Sequence, residues 1–434
     1  MIHKSNTTGH CQSREWLNRA KERIPGGAQT FSKGPSSFMQ SVAPNFLRRA
    51  QGAYAWDVDG NRYVDFILGL GPVILGHADP IVNEAARRQM QDGISFSLPH
   101  PIEVEVAEKL CEIIPCAEMV RFGKNGSDAT SCAVRLARAY TGREKVACCG
   151  YHGWQDWYIG STDRYLGVPG PVRALTVRFP YNNLEALRQL FRDHHDEVAC
   201  VIMEPVTFDL PQPGYLQGVQ ELCKRNGSLL VFDEIVTGFR IHMGGAQEYF
   251  GVTPDLACFG KAIANGFPLS AIVGRAEVMR LLDKVFFSFT FGGEAMSLAA
   301  CLATISELQQ RDGVRLLWRS GEKLQKETRQ RLVENRLTEK VECVGLPPWS
   351  TLRFHGTTEQ ESLILRSYFQ QEAIRRGILT HGSHLLSLAH DENVIEETLA
   401  AYVEIFRLIA EAVHSDRLPY LLEGPPLYPV IRSF

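Results

Sequence analysis

The sequence predicts an α/β fold built on a mostly parallel sheet, and three features of the chain support this prediction. Residues 229–232 form an unbroken apolar run of strand length, and residues 198–203 and 256–259 form similar runs. Runs that are apolar on both faces are typical of parallel strands buried between layers of helices. Residues 119–122 form a short strand that leads through a Gly-Ser turn into a helix, which is the strand-turn-helix unit of such folds.

The remaining elements follow from hydrophobic periodicity and turn residues. Residues 52–66 alternate apolar and polar side chains around Asp59-Gly60-Asn61, which predicts a β-hairpin. Further short strands are predicted over 145–149, 352–354 and 378–380. Helices are predicted over 1–23, 81–91, 101–113, 129–140, 216–226, 294–311, 321–337, 361–376 and 392–413.

Composition limits the classes of function. The chain has 434 residues, of which 44% are hydrophobic and 22% charged, which is enough for a large core and a second domain. A net charge of −3 gives no electrostatic basis for binding nucleic acid or an anionic membrane. The eleven cysteines lack zinc-type spacing, so we expect buried thiols, no metal site and no disulfide framework.

The sequence predicts a cytoplasmic protein without a membrane span. The first twenty residues are polar and charged and have no apolar core of the kind found in signal peptides. The longest apolar stretch, residues 66–76, is about half the length of a membrane span and is interrupted by Gly69, Gly71 and Pro72.

Two predicted strands deliver an acid and an amine to one edge of the sheet. Asp233 follows the strand 229–232, and Lys261 follows the strand 256–259 after Gly260. Ligands of open α/β sheets bind at this edge. A lysine amine can form a Schiff base with an aldehyde, and a carboxylate can keep a pyridine nitrogen protonated, which are the contributions that pyridoxal phosphate (PLP) needs. From the residues alone, Asp233 also fits a magnesium-binding acid and Lys261 a solvated surface residue.

Three motifs around these residues resemble the class III aminotransferases, and most of all their glutamate-1-semialdehyde aminomutase branch. They are residues 233–240 (Asp-Glu-Ile-Val-Thr-Gly-Phe-Arg), 245–251 (Gly-Ala-Gln-Glu-Tyr-Phe-Gly) and Thr-Pro-Asp at 253–255. The resemblance extends from about residue 24 to about residue 391. It implies PLP fold type I, with a large mostly parallel domain (71–320) and a smaller α+β domain built from residues 1–70 and 321–434.

The resemblance also implies roles around the cofactor ring. Lys261 would carry the cofactor, Asp233 would pair with the pyridine nitrogen, and Ile235 would lie against one ring face. Tyr151 would stack on the other face, although an aromatic residue at a strand end is also common at the edge of a core. His152 would lie nearby with no role assigned.

A second group of residues is implied to hold the cofactor phosphate. Residues 123–128 lead into a helix, where glycine allows close approach, free amides point outward and Ser127 adds a hydroxyl. The alternative is a simple N-cap formed by Ser127 or Asp128. The family places phosphate on Gly126 and Ser127, and uses a threonine, here Thr290, for the phosphate of the neighbouring subunit. We therefore expect a homodimer with shared active sites, whereas the residues around Thr290 alone also fit a glycine loop with an aromatic cluster.

Further candidates concern catalysis and the substrate. Glu204 follows the strand 198–203, where desolvating an unpaired carboxylate costs several kcal/mol, and the family places this residue near the ring and the incoming amine. Residues 153–170, with Trp154, have no periodicity and form a candidate lid, shorter than that of the aminomutases. Lys33 stands where the family presents an Arg to the substrate carboxylate, and Glu294 lies in Gly-Glu-Ala where the aminomutases have Gly-Asn-Pro.

These departures guide the prediction of function. Arg binds carboxylates in a planar, two-pronged manner that Lys cannot reproduce. We therefore expect an aminotransferase that moves an amino group from an amino acid such as glutamate to a carbonyl acceptor such as a keto-sugar or another biosynthetic intermediate. The alternative is glutamate-1-semialdehyde 2,1-aminomutase, with intramolecular amine exchange.

Two rival functions are weaker. A nucleoside triphosphatase needs Gly-x-x-x-x-Gly-Lys-Ser/Thr, and neither Gly-Lys pair, 123–124 or 260–261, has that context. The other rival is a family member that binds PLP without turnover. The presence of Asp233, Lys261 and Glu204 together favours an enzyme.

Overall fold

The computed structural model describes residues 10–415 and 417–428. Its strands, in chain order, are β1 (Leu47–Gln51), β2 (Tyr54–Asp57), β3 (Arg62–Asp65), β4 (Met119–Gly123), β5 (Lys145–Cys149), β6 (Thr176–Arg178), β7 (Val198–Met203), β8 (Leu229–Asp233), β9 (Leu256–Phe259), β10 (Ser270–Gly274), β11 (Val341–Leu346), β12 (Trp349–Phe354), β13 (Ile378–Leu379) and β14 (Ser383–Leu385).

The helices, in chain order, are α1 (Cys11–Lys21), α2 (Pro80–Asp92), α3 (Pro101–Ile113), α4 (Gly126–Thr141), α5 (Asp156–Ile159), α6 (Gly170–Arg173), α7 (Leu184–Asp193), α8 (Tyr215–Arg225), α9 (Ala246–Phe250), α10 (Ala276–Met279), α11 (Ala295–Gln310), α12 (Gly313–Glu334), α13 (Glu359–Arg375) and α14 (Glu392–His414). Short 3₁₀ turns occur at Pro25–Gly27, Phe31–Lys33, Pro35–Ser37, Lys261–Ala264, Arg280–Asp283 and Leu418–Leu421. Of the helix predicted over 1–23, residues 1–9 lie outside the described residues.

One structural unit, Pro80–Val314, contains a seven-stranded sheet in the order β4-β10-β9-β8-β7-β5-β6. The run from β9 through β8, β7 and β5 to β6 is parallel, while β10 is antiparallel to both of its neighbours. Every residue of β7, β8 and β9 is buried, which confirms the expectation drawn from their apolar runs.

The helical spacing of Ala129, Ala133, Leu136 and Tyr140 predicts that they share one face, and helix α4 covers this sheet through that face with one exception. Ala129, Ala133 and Leu136 are buried in the core that also holds residues of β5, β7 and β8. Tyr140 was expected on the same face but is 42% exposed, and its hydroxyl bonds to Glu277. The last turn of the helix thus extends past the sheet.

The other unit comprises the described residues up to Asp79 and from Arg315 onward. It holds a four-stranded sheet, β1-β2-β3-β13, and a three-stranded sheet, β11-β12-β14. The predicted hairpin is present as β2 and β3, and the Asp57 carboxylate accepts the N–H groups of Asp59 and Asn61 in its turn, at 3.0 and 2.8 Å. Strand β13 pairs parallel to β3, so the unit joins the two ends of the chain.

Two expectations from composition have a structural counterpart. No helix in the described part of the chain is long and apolar enough to cross a membrane. All eleven cysteines are free thiols, and except for Cys11 and Cys111 they are buried.

Candidate active site

Four neighbouring strands deliver polar side chains to one edge of the seven-stranded sheet. Because β9, β8, β7 and β5 are parallel and adjacent, their carboxyl ends lie at the same edge, which we call the site edge. Lys261 follows β9, Asp233 ends β8, Glu204 follows β7, and Tyr151 and His152 follow β5. The structure therefore brings together the acid, the amine and their expected neighbours.

Asp233 is paired with His152, the residue to which the sequence assigns no role. His152 Nδ1 lies 2.8 Å from Asp233 Oδ2, and Nε2 lies 3.1 Å from the carbonyl oxygen of Cys149. The N–H of Ile235 donates to Asp233 Oδ1 at 3.1 Å. A carbonyl oxygen only accepts, so Nε2 donates to Cys149, and the Nδ1 contact joins the imidazole to the Asp233 carboxyl group. The carboxylate is thereby fixed in place and buried, with 4% of Asp233 exposed.

Lys261 is held in a strained backbone conformation at the start of a 3₁₀ turn. Its φ of 44° lies in the left-handed region, which costs a residue with a side chain of the order of 1–3 kcal/mol and often marks functional sites. Among the described residues, its amine has no hydrogen-bond or ion-pair partner. Burial lowers the pKa of the Lys261 amine, although the charges of Glu204 and Asp233 act in the opposite direction. An unpaired amine with a lowered pKa loses its proton more readily, and the neutral form is the nucleophile.

Glu204 is positioned by a close backbone approach. Its Oε2 accepts the N–H of Tyr151 at 3.0 Å. A Cβ at Gly150 would lie 2.5 Å from the same oxygen, and Gly150 has a φ of 106°, so only glycine fits there. Burial raises the pKa of the Glu204 carboxyl, and the charge of Asp233 raises it further. Glu204 is therefore suited to gaining and losing a proton near Lys261.

The Gly-Ser turn, residues 123–127, leads from β4 into the N-terminal end of helix α4. The Asp128 carboxylate accepts the N–H groups of Lys124 and Asn125, at 3.0 and 2.7 Å, so Asp128 closes the turn. Ser127 Oγ accepts the N–H of Trp154 at 3.3 Å. The first N–H groups of a helix have no intrahelical acceptor, and the helix dipole favours negative charge beside them. Asp128 thus satisfies the turn as the alternative of a simple N-cap predicts, and the phosphate role of Gly126 and Ser127 stays a prediction.

The backbone at Gly153 lies directly against this turn, and the sequence gives no indication of this contact. A Cβ at Gly153 would lie 2.1 Å from Ser127 Oγ, and its φ is 109°. Ile235 packs beside the turn as well, because a Cβ at Gly126 or at Gly260 would lie 3.1 Å from its Cδ1. The space between the Gly-Ser turn and Lys261 is therefore shaped by glycines and one aliphatic side chain.

The candidate lid, residues 153–170, is more ordered than its aperiodic sequence predicts. It contains helix α5, in which Trp157 and Tyr158 are buried. Trp157 Nε1 donates to Ser131 Oγ at 3.0 Å, and the Tyr158 hydroxyl donates to the carbonyl of Gly150 at 2.9 Å. Trp154 and Tyr151 are 65% and 53% exposed, so their rings are accessible at the site edge.

The remaining candidates lie in three different environments. Thr290 is exposed in the segment that precedes helix α11. Glu294 caps α11 by accepting the N–H of Met296 at 2.9 Å, and its other oxygen accepts Lys124 Nζ at 2.8 Å. These contacts give Glu294 a role inside the chain, and its contact with substrate stays a prediction. Lys33 is exposed in the 3₁₀ turn Phe31–Lys33 of the other structural unit.

Comparison with known proteins identifies the chemistry that such a site performs. The chain matches the model of the family "Aminotransferase class-III" over residues 38–407. It is 35% identical over 405 residues to 3-aminobutyryl-CoA aminotransferase of Cloacimonas acidaminovorans (strain Evry), covering 92% of this chain and 96% of that protein. It is 43% identical over 310 residues to glutamate-1-semialdehyde 2,1-aminomutase of Syntrophobacter fumaroxidans (strain DSM 10017 / MPOB), covering 67% and 71%.

Solved structures agree with this assignment. The FumI protein of Sphingopyxis sp. MTA144, in its PLP internal aldimine form, superposes with a TM-score of 0.86 at 28% identity, covering 93% of this chain and 97% of that one. An omega-transaminase from Sphaerobacter thermophilus gives 0.83 at 28% identity, covering 94% and 99%. The predicted fold type I is confirmed, and the unpaired amine, the paired acid and the helix end at the site edge fit PLP. This chain therefore belongs to the class III aminotransferases and is a PLP-dependent aminotransferase.

Proposed function

We propose that Lys261 carries the cofactor and moves the proton in this aminotransferase. One observation carries the proposal: the Lys261 amine is unpaired at the edge that also holds Asp233 and Glu204. Burial lowers the pKa of this amine. When bound, PLP supplies an aldehyde that exchanges amines and a ring that withdraws electrons. The Nζ of Lys261, when free, would take the proton from the substrate carbon and deliver it to the cofactor carbon, the transfer that an exchange of amine for carbonyl requires.

The other side chains at the site edge hold the cofactor and orient its ring. Asp233 faces the ring nitrogen and keeps it protonated, and His152 keeps that carboxylate in position through its 2.8 Å contact. Gly126 and Ser127 bind the phosphate at the start of α4. Ile235 and Tyr151 contact the ring. Two observations support these ring contacts. Ile235 packs closely against Gly126 and Gly260, and the ring of Tyr151 is exposed.

Glu204 serves as a second proton-exchanging group. Burial and Asp233 raise the pKa of its carboxyl, so Glu204 holds a proton at higher pH than a solvated glutamate does. A carboxyl that can be protonated beside Lys261 can exchange protons with the incoming amine. This matches the position near the amine that the resemblance implies.

The acceptor is a carbonyl compound larger or more hydroxylated than glutamate-1-semialdehyde, such as a keto-sugar, and the donor is an amino acid such as glutamate. Lys33, Trp154 and Glu294 contact the substrate in this proposal. It is supported by Lys in place of Arg at position 33 and by the exposed ring of Trp154. The 3-aminobutyryl-CoA aminotransferase, 35% identical over nearly the whole chain, adds 3-aminobutyryl-CoA to the amines worth testing.

The enzyme assembles as a homodimer in which Thr290 reaches the phosphate of the neighbouring chain. Thr290 lies in an exposed segment with Phe286 and Phe291, which are 78% and 57% exposed. Large apolar side chains that are exposed together favour contact with another protein surface, here a second copy. We place the dimer in the cytoplasm, where its free thiols would persist.

A half-reaction screen tests the substrate proposal. Purified holoenzyme is mixed with one amine at a time, and the cofactor spectrum reports amination; the aminated enzyme is then mixed with single carbonyl compounds, and recovery of the original spectrum reports transfer. We expect glutamate among the donors and a polyhydroxylated carbonyl among the acceptors. Turnover of 3-aminobutyryl-CoA with no response to glutamate would replace this proposal with the relative's activity.

Hybrid dimers test the shared site. A Thr290→Ala chain is combined with a Lys261→Ala chain, so that one site joins both defects and the other has wild-type Lys261 and Thr290. We expect that second site to retain PLP and activity. If chains exchange and no such site appears, Thr290 does not act across the interface.

A further inference from the structure

The segment that bears Thr290, residues 286–293 and hereafter the Thr290 segment, is fastened at its beginning by two arginines. Arg135 Nη1 donates to the carbonyl of Phe286 at 2.7 Å, and Arg121 Nη2 donates to that of Phe287 at 3.2 Å. Arg121 belongs to β4 and Arg135 to α4, the two elements that flank the Gly-Ser turn. The beginning of the segment is thus tied to the elements that present the proposed phosphate site.

The end of the same segment is fastened by an ion pair. Lys124, in the Gly-Ser turn, donates from Nζ to Oε2 of Glu294 at 2.8 Å, and the two side chains are only 13% and 9% exposed. Glu294 is the residue that follows the segment, and its Oε1 accepts the N–H of Met296 at the start of α11. One side chain therefore connects the turn, the Thr290 segment and helix α11.

Glu294 is ionised in this arrangement. Burial alone would raise the pKa of its carboxyl, but the hydrogen bonds from Lys124 and Ser297 hold the pKa below its usual range. An ion pair so little exposed is poorly screened by solvent, and removing one partner would leave the other charge buried. The ion pair therefore holds the end of the Thr290 segment against the Gly-Ser turn, while the middle of the segment is exposed.

We propose that Lys124 and Glu294 are positioning residues for the cofactor of the neighbouring chain, because they hold the Thr290 segment at the place from which Thr290 reaches across. This inference rests on the proposed shared site. As a consequence, substituting Lys124 and Glu294 in one chain weakens the binding of PLP to Lys261 of the other chain. A pair that only stabilised its own chain would not act across the interface.

Hybrid dimers with one functional lysine measure this effect. One chain is wild type, and its partner carries Lys261→Ala together with Lys124→Met and Glu294→Gln. Methionine keeps the lysine stem, and glutamine keeps an oxygen for the Met296 N–H, so neither a lone charge nor an uncapped helix is created. Borohydride reduction counts the cofactor bound covalently to the wild-type chain, and the dissociation constant for PLP is determined from its titration into the apo-hybrid.

We expect the wild-type lysine in this hybrid to bind PLP about tenfold more weakly or worse than beside a partner with Lys261→Ala alone, which is the effect of losing one hydrogen bond to a charged group. A partner with Lys261→Ala and Lys124→Arg keeps the ion pair and should bind as the reference does. Lys340 and Glu361 form a pair of the same 2.8 Å length in the other unit. A partner with Lys261→Ala, Lys340→Met and Glu361→Gln should also match the reference.

The outcomes separate this inference from the proposed function. If a partner with Lys261→Ala and Thr290→Ala leaves PLP binding unchanged, the shared site itself is wrong. If that partner weakens binding and the Lys124→Met, Glu294→Gln partner does not, only the positioning role is overturned. Should this double substitution prevent assembly, Lys124→Leu with Glu294→Gln, which likewise leaves no lone charge and keeps the helix cap, takes its place in the same comparison.

Discussion

His152 Nδ1 lies 2.8 Å from Oδ2 of Asp233, and its Nε2 is engaged by the carbonyl of Cys149. With an acceptor at each nitrogen, the imidazole cannot turn away from Asp233 without losing a buried hydrogen bond. Both side chains are nearly inaccessible, at 2% and 4% exposed. The Asp233 carboxyl group is therefore held in position by a buried partner.

Asp233→Asn should leave the fold intact and cripple turnover. The neutral amide cannot keep the pyridine nitrogen protonated, so the ring loses most of its capacity to withdraw electrons. We expect kcat to fall by about 10²–10³, the loss seen when one electrostatic partner of a transition state is removed. Steady-state kinetics measure the change, and circular dichroism confirms folding. Near wild-type turnover would remove the electrostatic role of Asp233.

Lys261→Ala should abolish covalent cofactor binding. Lys261 is the lysine that follows a central strand at the site edge, opposite Asp233, and its amine has no partner among the described residues. The wild-type protein should be yellow, and borohydride should fix the cofactor to the peptide that contains Lys261. Cofactor that borohydride still fixes to the alanine variant would show that another lysine carries it.

Gly153→Ala should weaken binding of the cofactor phosphate. The added Cβ would lie 2.1 Å from Ser127 Oγ, so the turn must open or the hydroxyl must move. Titration of the apoenzyme with PLP should give a dissociation constant at least about tenfold higher, since one hydrogen bond to a charged group is lost.

Gly142→Ala is the matched control for this substitution. Gly142 also has a positive φ, 70°, but a Cβ there would meet nothing within 4 Å. We expect about 1 kcal/mol of lost stability from backbone strain and unchanged PLP affinity. Equal PLP affinities in the two alanine variants would mean that the contact between Gly153 and Ser127 does not shape the phosphate site.

The pH dependence of cofactor capture should reveal the environment of Lys261. Burial lowers the pKa of its amine below the ordinary 10.5, so the neutral, reactive form appears at lower pH than in a free lysine. The rate at which the apoenzyme captures PLP should rise with pH. It should reach its plateau at a lower pH than the corresponding rate of Nα-acetyl-lysine in the same buffers. Because the unfolded chain binds more protons there, apoenzyme stability should also rise with pH between the folded pKa and 10.5.

Glu204→Gln provides the control for that profile. The Glu204 charge favours the protonated amine, so its removal should lower the pKa of Lys261 further and move the capture profile to lower pH. A shift to higher pH, or a plateau at the position of the acetylated lysine, would contradict the proposed environment of the amine.

The strands that end at the site could be predicted because both of their faces are buried. Apolar runs at 198–203, 229–232 and 256–259 appear in the structure as β7, β8 and β9, within one residue at each end. Once parallel strands are placed, the residues that follow them must meet at one edge. The apolar runs therefore predict that Asp233, Lys261 and Glu204 lie at the same edge of the sheet.

Contacts between distant parts of the chain could not be predicted in this way. The approach of Gly153 to Ser127 depends on how the chain after β5 packs on α4, and local pattern carries no trace of it. Helix α5 forms within an aperiodic stretch because Trp157 and Tyr158 are buried there. A signal did exist for Glu294, since an acidic residue at the predicted start of a helix is a common cap.

Glutamate-1-semialdehyde should be a poor substrate, although the aminomutase branch is a close relative. That substrate carries a carboxylate, and Lys33 offers it a single point charge instead of the two-pronged guanidinium of Arg. We expect kcat/KM for the semialdehyde well below about 10⁴ M⁻¹s⁻¹, the lower end of the ordinary range for enzymes. Lys33→Arg should raise this value about tenfold, because a second hydrogen bond to a charged group is gained. Lys21→Arg, at an exposed position at the end of α1, should leave it unchanged. A wild-type kcat/KM at or above that limit would show that the intramolecular exchange of an aminomutase is the activity of this chain.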